Sequence, residues 1–292
     1  MKWKIASWIA FGALLAALAV TGAQAQQSLA KGRPVISDAE RALAMLEVQN
    51  TFSKHAFYHQ AGKHCEELAD IWVDEKGPNA KTTTWTLSGN VIEGIAEVKK
   101  QYCTDHLESQ KKSLTELSKM VPSVKDIPEN IGAGGEYVMH TQETPIIEVA
   151  LDGKTAKGLW YSIGQSVRGS VTADGKTSIG TGWMWEKYGV DFIKENGKWK
   201  IWHLINIMDQ GPVDSSSQAQ GGPVGGAPGG GGAPGGGGAP GGAPGGGGAP
   251  GGGGGSSNMK HVDSFHYSPT AVLRIDPKLP EPYYTFSETF SY

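Results

Sequence analysis

Residues 135–209 read GEYVMHTQETPIIEVALDGKTAKGLWYSIGQSVRGSVTADGKTSIGTGWMWEKYGVDFIKENGKWKIWHLINIMD. Three dipeptides punctuate this run: Asp152-Gly153, Asp174-Gly175 and Asn196-Gly197. Such pairs tolerate the positive φ of a two-residue type I′ turn, and each sits between β-branched and aromatic residues. They predict a four-stranded antiparallel meander over about 136–151, 154–171, 176–195 and 198–209.

Alternation along those strands selects a face. With two-residue turns and no bulge, His140, Gln165, Met184 and Asp209 form one row across the sheet. Thr144, Tyr161, Tyr188 and Ile205 form a second, and Ile146, Leu159, Val190 and His203 a third. Glu186 falls between Ile163 and Ile207 on the same face. An apolar surface with a few convergent polar groups is what a small-molecule pocket needs. The opposite face carries Trp160, Trp183, Trp185 and Trp202, and is expected to pack on a second subunit in a homodimer.

Helices precede the meander. Ser37-Asp38-Ala39-Glu40 is a helix start, with apolar residues at helical spacing to about His59 and a break at Gly62. A short helix carries Cys65, Leu68, Ala69 and Trp72. A strand from Thr82 to Leu87 carries Trp85. A helix marked by Ile95, Val98 and Tyr102 ends near His106, and another piece holds Leu114, Leu117 and Met120. Helices first and a long meander after them predict an α+β fold, with helices laid on a curved sheet to form a cone over residues 26–210.

Other segments flank the cone. Lys2, Lys4, the apolar run Ile5–Val20 and Ala23-Gln24-Ala25 read as a signal peptide cleaved after Ala25. The run is shorter than the ~20 residues of a spanning helix, so a periplasmic or secreted protein without a stable membrane span is expected. An oxidising compartment permits a Cys65–Cys103 disulfide; two separate buried thiols are the alternative. Residues 211–258 are rich in Gly, Pro and Ala, a composition that predicts a disordered linker. Residues 259–292 hold seven Phe and Tyr residues and are expected to dock on the domain or on a partner subunit.

Composition and motifs exclude several classes. The net charge is −3 with no basic stripe, so nucleic acid is not an expected partner. No phosphate-cradling loop follows a strand, and there is no nucleophile elbow. His55 and His59 have the spacing of a helical metal pair but no third ligand at suitable spacing, so neither metal nor cofactor is expected. His64, His106 and His261 read as surface histidines.

The chain resembles the SnoaL-like group of the nuclear-transport-factor-2-like fold. The resemblance rests on Leu68-Ala69-Asp70-Ile71-Trp72, Trp85-Thr86, His140 through Glu148, Asp152 through Gly158, and Gly197-Lys198-Trp199-Lys200-Ile201. It is closest to the scytalone dehydratase and dehydrochlorinase branch, and implies a cofactor-free lyase with a histidine on the sheet paired to an aspartate at the end of the first helix. His140 matches that histidine, whereas the aspartate position is Ala61. The expected function is therefore dehydratase-type acid–base catalysis on a small apolar compound, expected to be aromatic. Its catalytic candidates are His140, His59 and Tyr58. Trp85, Tyr161, Gln165, Tyr188, Glu186 and His203 would line the substrate. A non-catalytic ligand-binding or assembly protein of the same fold is the alternative, since the orienting acid is missing.

Overall fold

The structure is a computed structural model that describes residues 28–87, 90–130, 136–171, 177–214 and 277–292. The expected signal peptide, the expected Asp174-Gly175 turn, the expected linker from residue 215 and the tail up to residue 276 lie outside the described residues.

Helix α1 (Asp38–Gln60) opens with a capping box, in which Ser37 accepts from the Glu40 amide and Glu40 reaches back to the Ser37 amide. It ends at Ala61, and Gly62 turns the chain at φ 65°. Helix α2 (His64–Ile71) leads to strands β1 (Thr84–Leu87) and β2 (Asn90–Glu93). Sequence reading missed β2, which is only four residues long. Helix α3 (Ile95–Val98) runs through a π-helical stretch, Lys99–Asp105, into α4 (His106–Met120), so the two expected helical pieces are one rod.

Strands β3 (Glu136–His140), β4 (Glu143–Val149), β5 (Thr155–Val171), β6 (Thr177–Glu195) and β7 (Lys198–Asp214) complete the sheet. Its order is β2-β1-β7-β6-β5-β3, with β4 also paired to β5; β1 runs parallel to β7 and the other pairs are antiparallel. The architecture is α+β, and α1 packs Val48 and Phe52 onto the inner sheet face. The Cys65–Cys103 disulfide ties α2 to the π-helical turn.

Register departs from the regular meander at several points, and three of them decide which way the expected site residues face. Thr144 adopts φ 47° and the β4–β5 pairing shifts between Glu143 and Ile146, so Ile147 and Val149 face inward and Ile146 is exposed. On β5 and β6 the last pair is Val171–Thr177, which an odd number of residues connects. That puts Trp160 opposite Tyr188 and moves Tyr161 to the outside. On β7, Phe192 pairs Ile201 while Asp191 pairs His203, so Trp202 is an extra residue. The bulge turns His203 outward and Leu204 inward.

Trp160 is consequently a core residue rather than an outer one. Its indole packs on Phe52, ring centroids 4.4 Å apart, and lies over Gly158, where an added Cβ would sit 2.0 Å from the ring. Gly158→Ala is expected to lower stability by about 1–3 kcal/mol, as overpacking does. Urea unfolding followed by tryptophan fluorescence measures it.

Candidate active site

At the end of α1 the cone interior fills with imidazoles. Ala44, Val48, Phe52 and His55 form the buried stripe of that helix, and His59 follows one turn later. Helix α2 contributes His64, Glu67, Leu68 and Ile71. These spacings are helical, so one face of α2 carries an acid and a histidine into the core.

Glu67 is fully buried and has three donors. His55 Nδ1 donates to Oε1 at 2.8 Å, Trp72 Nε1 to Oε1 at 3.0 Å, and the Tyr102 hydroxyl to Oε2 at 2.9 Å. The carboxylate fixes the His55 tautomer with hydrogen on Nδ1. Its Nε2 is buried with no hydrogen-bond partner.

His140 ends β3 and is buried. Its Nδ1 hydrogen-bonds with Ser162 Oγ at 3.0 Å and lies 4.0 Å from Glu186 Oε2. The Tyr188 hydroxyl donates to that same oxygen at 3.3 Å. Rings of His59, His55 and Tyr188 pack on His140 with centroids 4.6, 5.6 and 5.9 Å away. From His59 the row continues to His64 at 4.9 Å and on to His106 at a further 4.7 Å. The rings meet edge to face, and among the described residues no three His, Cys, Asp or Glu side chains form a metal site.

Burial keeps His59, His64, His106 and His140 neutral. It pushes His64 down to about 4 and His140 to about 3, with neighbouring histidines adding to the effect, and holds His59 well below its ordinary value. Burial raises the Glu186 carboxyl, and keeps the Tyr188 and Tyr102 phenols protonated far above the usual tyrosine range.

Of the expected site residues, the structure brings together His140, His59, Glu186 and Tyr188. Trp85 joins them through Tyr102, centroids 4.8 Å apart. Four others lie elsewhere. Tyr58 is one residue round the helix from His59, so it points outward, donates to Asp70 at 3.1 Å, and lines a surface hollow of about 410 Å³ with Lys54, Phe57 and Lys63. Tyr161 is exposed and Gln165 shares its outer face, because β5 sits one residue out of the expected register. His203 faces outward because of the Trp202 bulge, hydrogen-bonding with Asp191 at 2.9 Å.

Sequence reading missed Glu67, His55 as a site residue, and Ser162, and took His64 and His106 for surface groups. The buried stripe 64, 67, 68, 71 was the available signal, masked by its two polar members.

Residues 40–205 match the profile of the SnoaL-like domain family. The chain belongs to that family. No curated protein matches it. Among solved structures, a hexachlorocyclohexane dehydrochlorinase (LinA) type 2 is 15% identical over 61% of this chain and 95% of its own, with a TM-score of 0.39. LinA-type3 from Novosphingobium barchaimii is 13% identical over 61% of this chain and 94% of its own, also at 0.39. A protein with a cystatin-like fold from Caulobacter vibrioides is 12% identical over 61% and 95%, at 0.34.

The neutral imidazoles of this SnoaL-like domain set its acid sensitivity. In the unfolded chain they protonate near pH 6.5, but the folded protein excludes those protons until about pH 4 or 3. Their contribution is therefore complete above pH 6.5 and lost as pH falls, by up to about 1.4 kcal/mol per pH unit for each histidine. Urea unfolding from pH 7 to 4 is expected to show this slope, and His64→Gln or His140→Gln to flatten it.

Proposed function

We propose that this chain is a cofactor-independent lyase of the dehydratase type, acting on a small apolar, aromatic compound inside the cone. The observation that supports it most is the His55–Glu67 pair: a carboxylate behind one ring nitrogen and a buried, unpartnered nitrogen at the other. That arrangement makes Nε2 a proton acceptor and stabilises the imidazolium once the proton arrives.

In the elimination, His55 Nε2 takes a proton from the carbon next to the departing group. The C–H electron pair forms the double bond, and the C–O bond breaks. Glu186, whose carboxyl burial inclines to the protonated form, delivers a proton so that the oxygen leaves as water. His140 stays neutral and, with Nδ1 held by Ser162, offers Nε2 to the substrate. Tyr188 remains a phenol and donates to developing negative charge. Phe52, Trp85 and Trp160 supply the aromatic surroundings.

Export with cleavage after Ala25 belongs to the same proposal, and the Cys65–Cys103 disulfide suits an oxidising compartment. So does a homodimer, whose contact would use the exposed Trp183 and Trp185.

A second reading rests on packing. His55, His59 and Tyr188 already lie against His140, as in a closed core that binds rather than turns over its ligand.

Incubation with a panel of small aromatic alcohols separates the two. An enzyme consumes a member of the panel, and His55→Gln slows that consumption at least ~100-fold, the scale of a lost general base. Retention of a compound without chemical change supports the binding protein instead. Glu67→Gln, which keeps the shape but not the charge, is expected to fall between wild type and His55→Gln.

A further inference from the structure

The outer sheet face holds a second polar cluster, on the other side of the sheet from the row of interior histidines. Lys157 Nζ is fully buried and pairs with Asp191 Oδ1 at 2.6 Å. Rings from the 277–292 segment close over it: Phe290 at 4.5 Å, Phe286 at 4.7 Å and Tyr292 at 5.1 Å from the ammonium. This is an aromatic cage around a cation. Asp191 Oδ2 accepts from the Tyr292 amide at 2.9 Å and from Ser291 Oγ at 3.0 Å, beside its contact with His203. The Tyr292 ring lies where Gly189 has no side chain; a Cβ there would stand 2.6 Å from it.

The far end of the segment is held as firmly. The Leu151 and Asp152 amides donate to the carbonyls of Tyr283 and Tyr284 at 3.0 and 3.2 Å. Arg33 stacks on Tyr284 and grips Glu288 with two nitrogens, at 2.7 and 3.1 Å. Of the segment's aromatic residues only Tyr283 is buried. Tyr283 buried together with Pro277 and Pro280, a half-exposed rim and paired backbone amides describe a peptide in a recognition groove.

Roughly 60 residues separate 214 from 277, and a chain of that length spans at most ~200 Å. The covalent connection therefore does not restrict the segment to its own groove. We propose that the outer-face groove is a peptide-recognition site that takes the 277–292 segment of a second copy of this chain in exchange for its own.

Two full-length variants test it. One carries Gly189→Leu, which blocks its groove and leaves its tail intact, and is labelled with a fluorophore. The other carries Phe286→Ala, Phe290→Ala and Tyr292→Ala, which leave its groove open and spoil its tail. A labelled chain with both sets of substitutions subtracts any association by another surface. Titrating the open-groove chain into the labelled one is expected to give a saturable anisotropy rise, absent from the double control and reversed by a synthetic 277–292 peptide. Equal signals from the labelled chain and the control would overturn the proposal. Near-UV circular dichroism checks each fold. If Gly189→Leu unfolds, Arg33→Glu replaces it, since Arg33 is partly exposed and that change removes the stack on Tyr284 and repels Glu288, with the same two outcomes.

Discussion

A carboxylate with no exposure sets the terms for the helical layer. Taking Glu67 out of water costs several kcal/mol unless donors surround it. Those donors come from three places: His55 on α1, Trp72 just past α2 and Tyr102 on the π-helical turn. Each segment must therefore sit at hydrogen-bond distance from the same two oxygens. The π turn serves this need, since it buries both Tyr102 and Cys103. Tyr102 then reaches Glu67 while Cys103 reaches Cys65 on the same helix. The polar contact and the covalent one thus position the same pair of elements.

Part of the sheet below is covered on both faces. The helices bury Trp160, Tyr188 and Phe192 from inside. The 277–292 segment covers Gly189, Lys157 and Asp191 from outside. A strand covered on both sides no longer needs polar residues at every second position. Alternation is then a weak guide to orientation, and charged groups such as Lys157 and Asp191 survive burial by pairing.

This explains which parts of the fold were legible from sequence. Turn chemistry and capping are local, so Ser37, Gly62, Asp152-Gly153 and Asn196-Gly197 marked their boundaries, and all the long strands were placed. Orientation depends on parity, which a single extra residue reverses. Strand β6 and His140 kept the expected face, while β4, β5 and most of β7 did not. Thr144, the 171–177 connection and Trp202 each changed the count, and nothing in their residue types announces it. Glu67 escaped for another reason: a glutamate on a short helix reads as solvated unless its three partners are already known to meet there.

The relocated acid has a chemical consequence for the interior. Ala61 caps α1 where the resemblance leads one to expect an aspartate, so His140 faces Ser162 and a distant Glu186 instead of an adjacent anion. Without that anion, burial and the neighbouring imidazoles hold it neutral. The buried anion Glu67 lies instead against His55, one ring away, and accepts from two further donors. The core around His55 and His140 thus contains two carboxyl groups in unequal surroundings, one behind an imidazole whose other nitrogen has no hydrogen-bond partner and one that burial drives toward the protonated form. In the proposed elimination that inequality divides the roles, with His55 backed by Glu67 as the base and Glu186 as the acid.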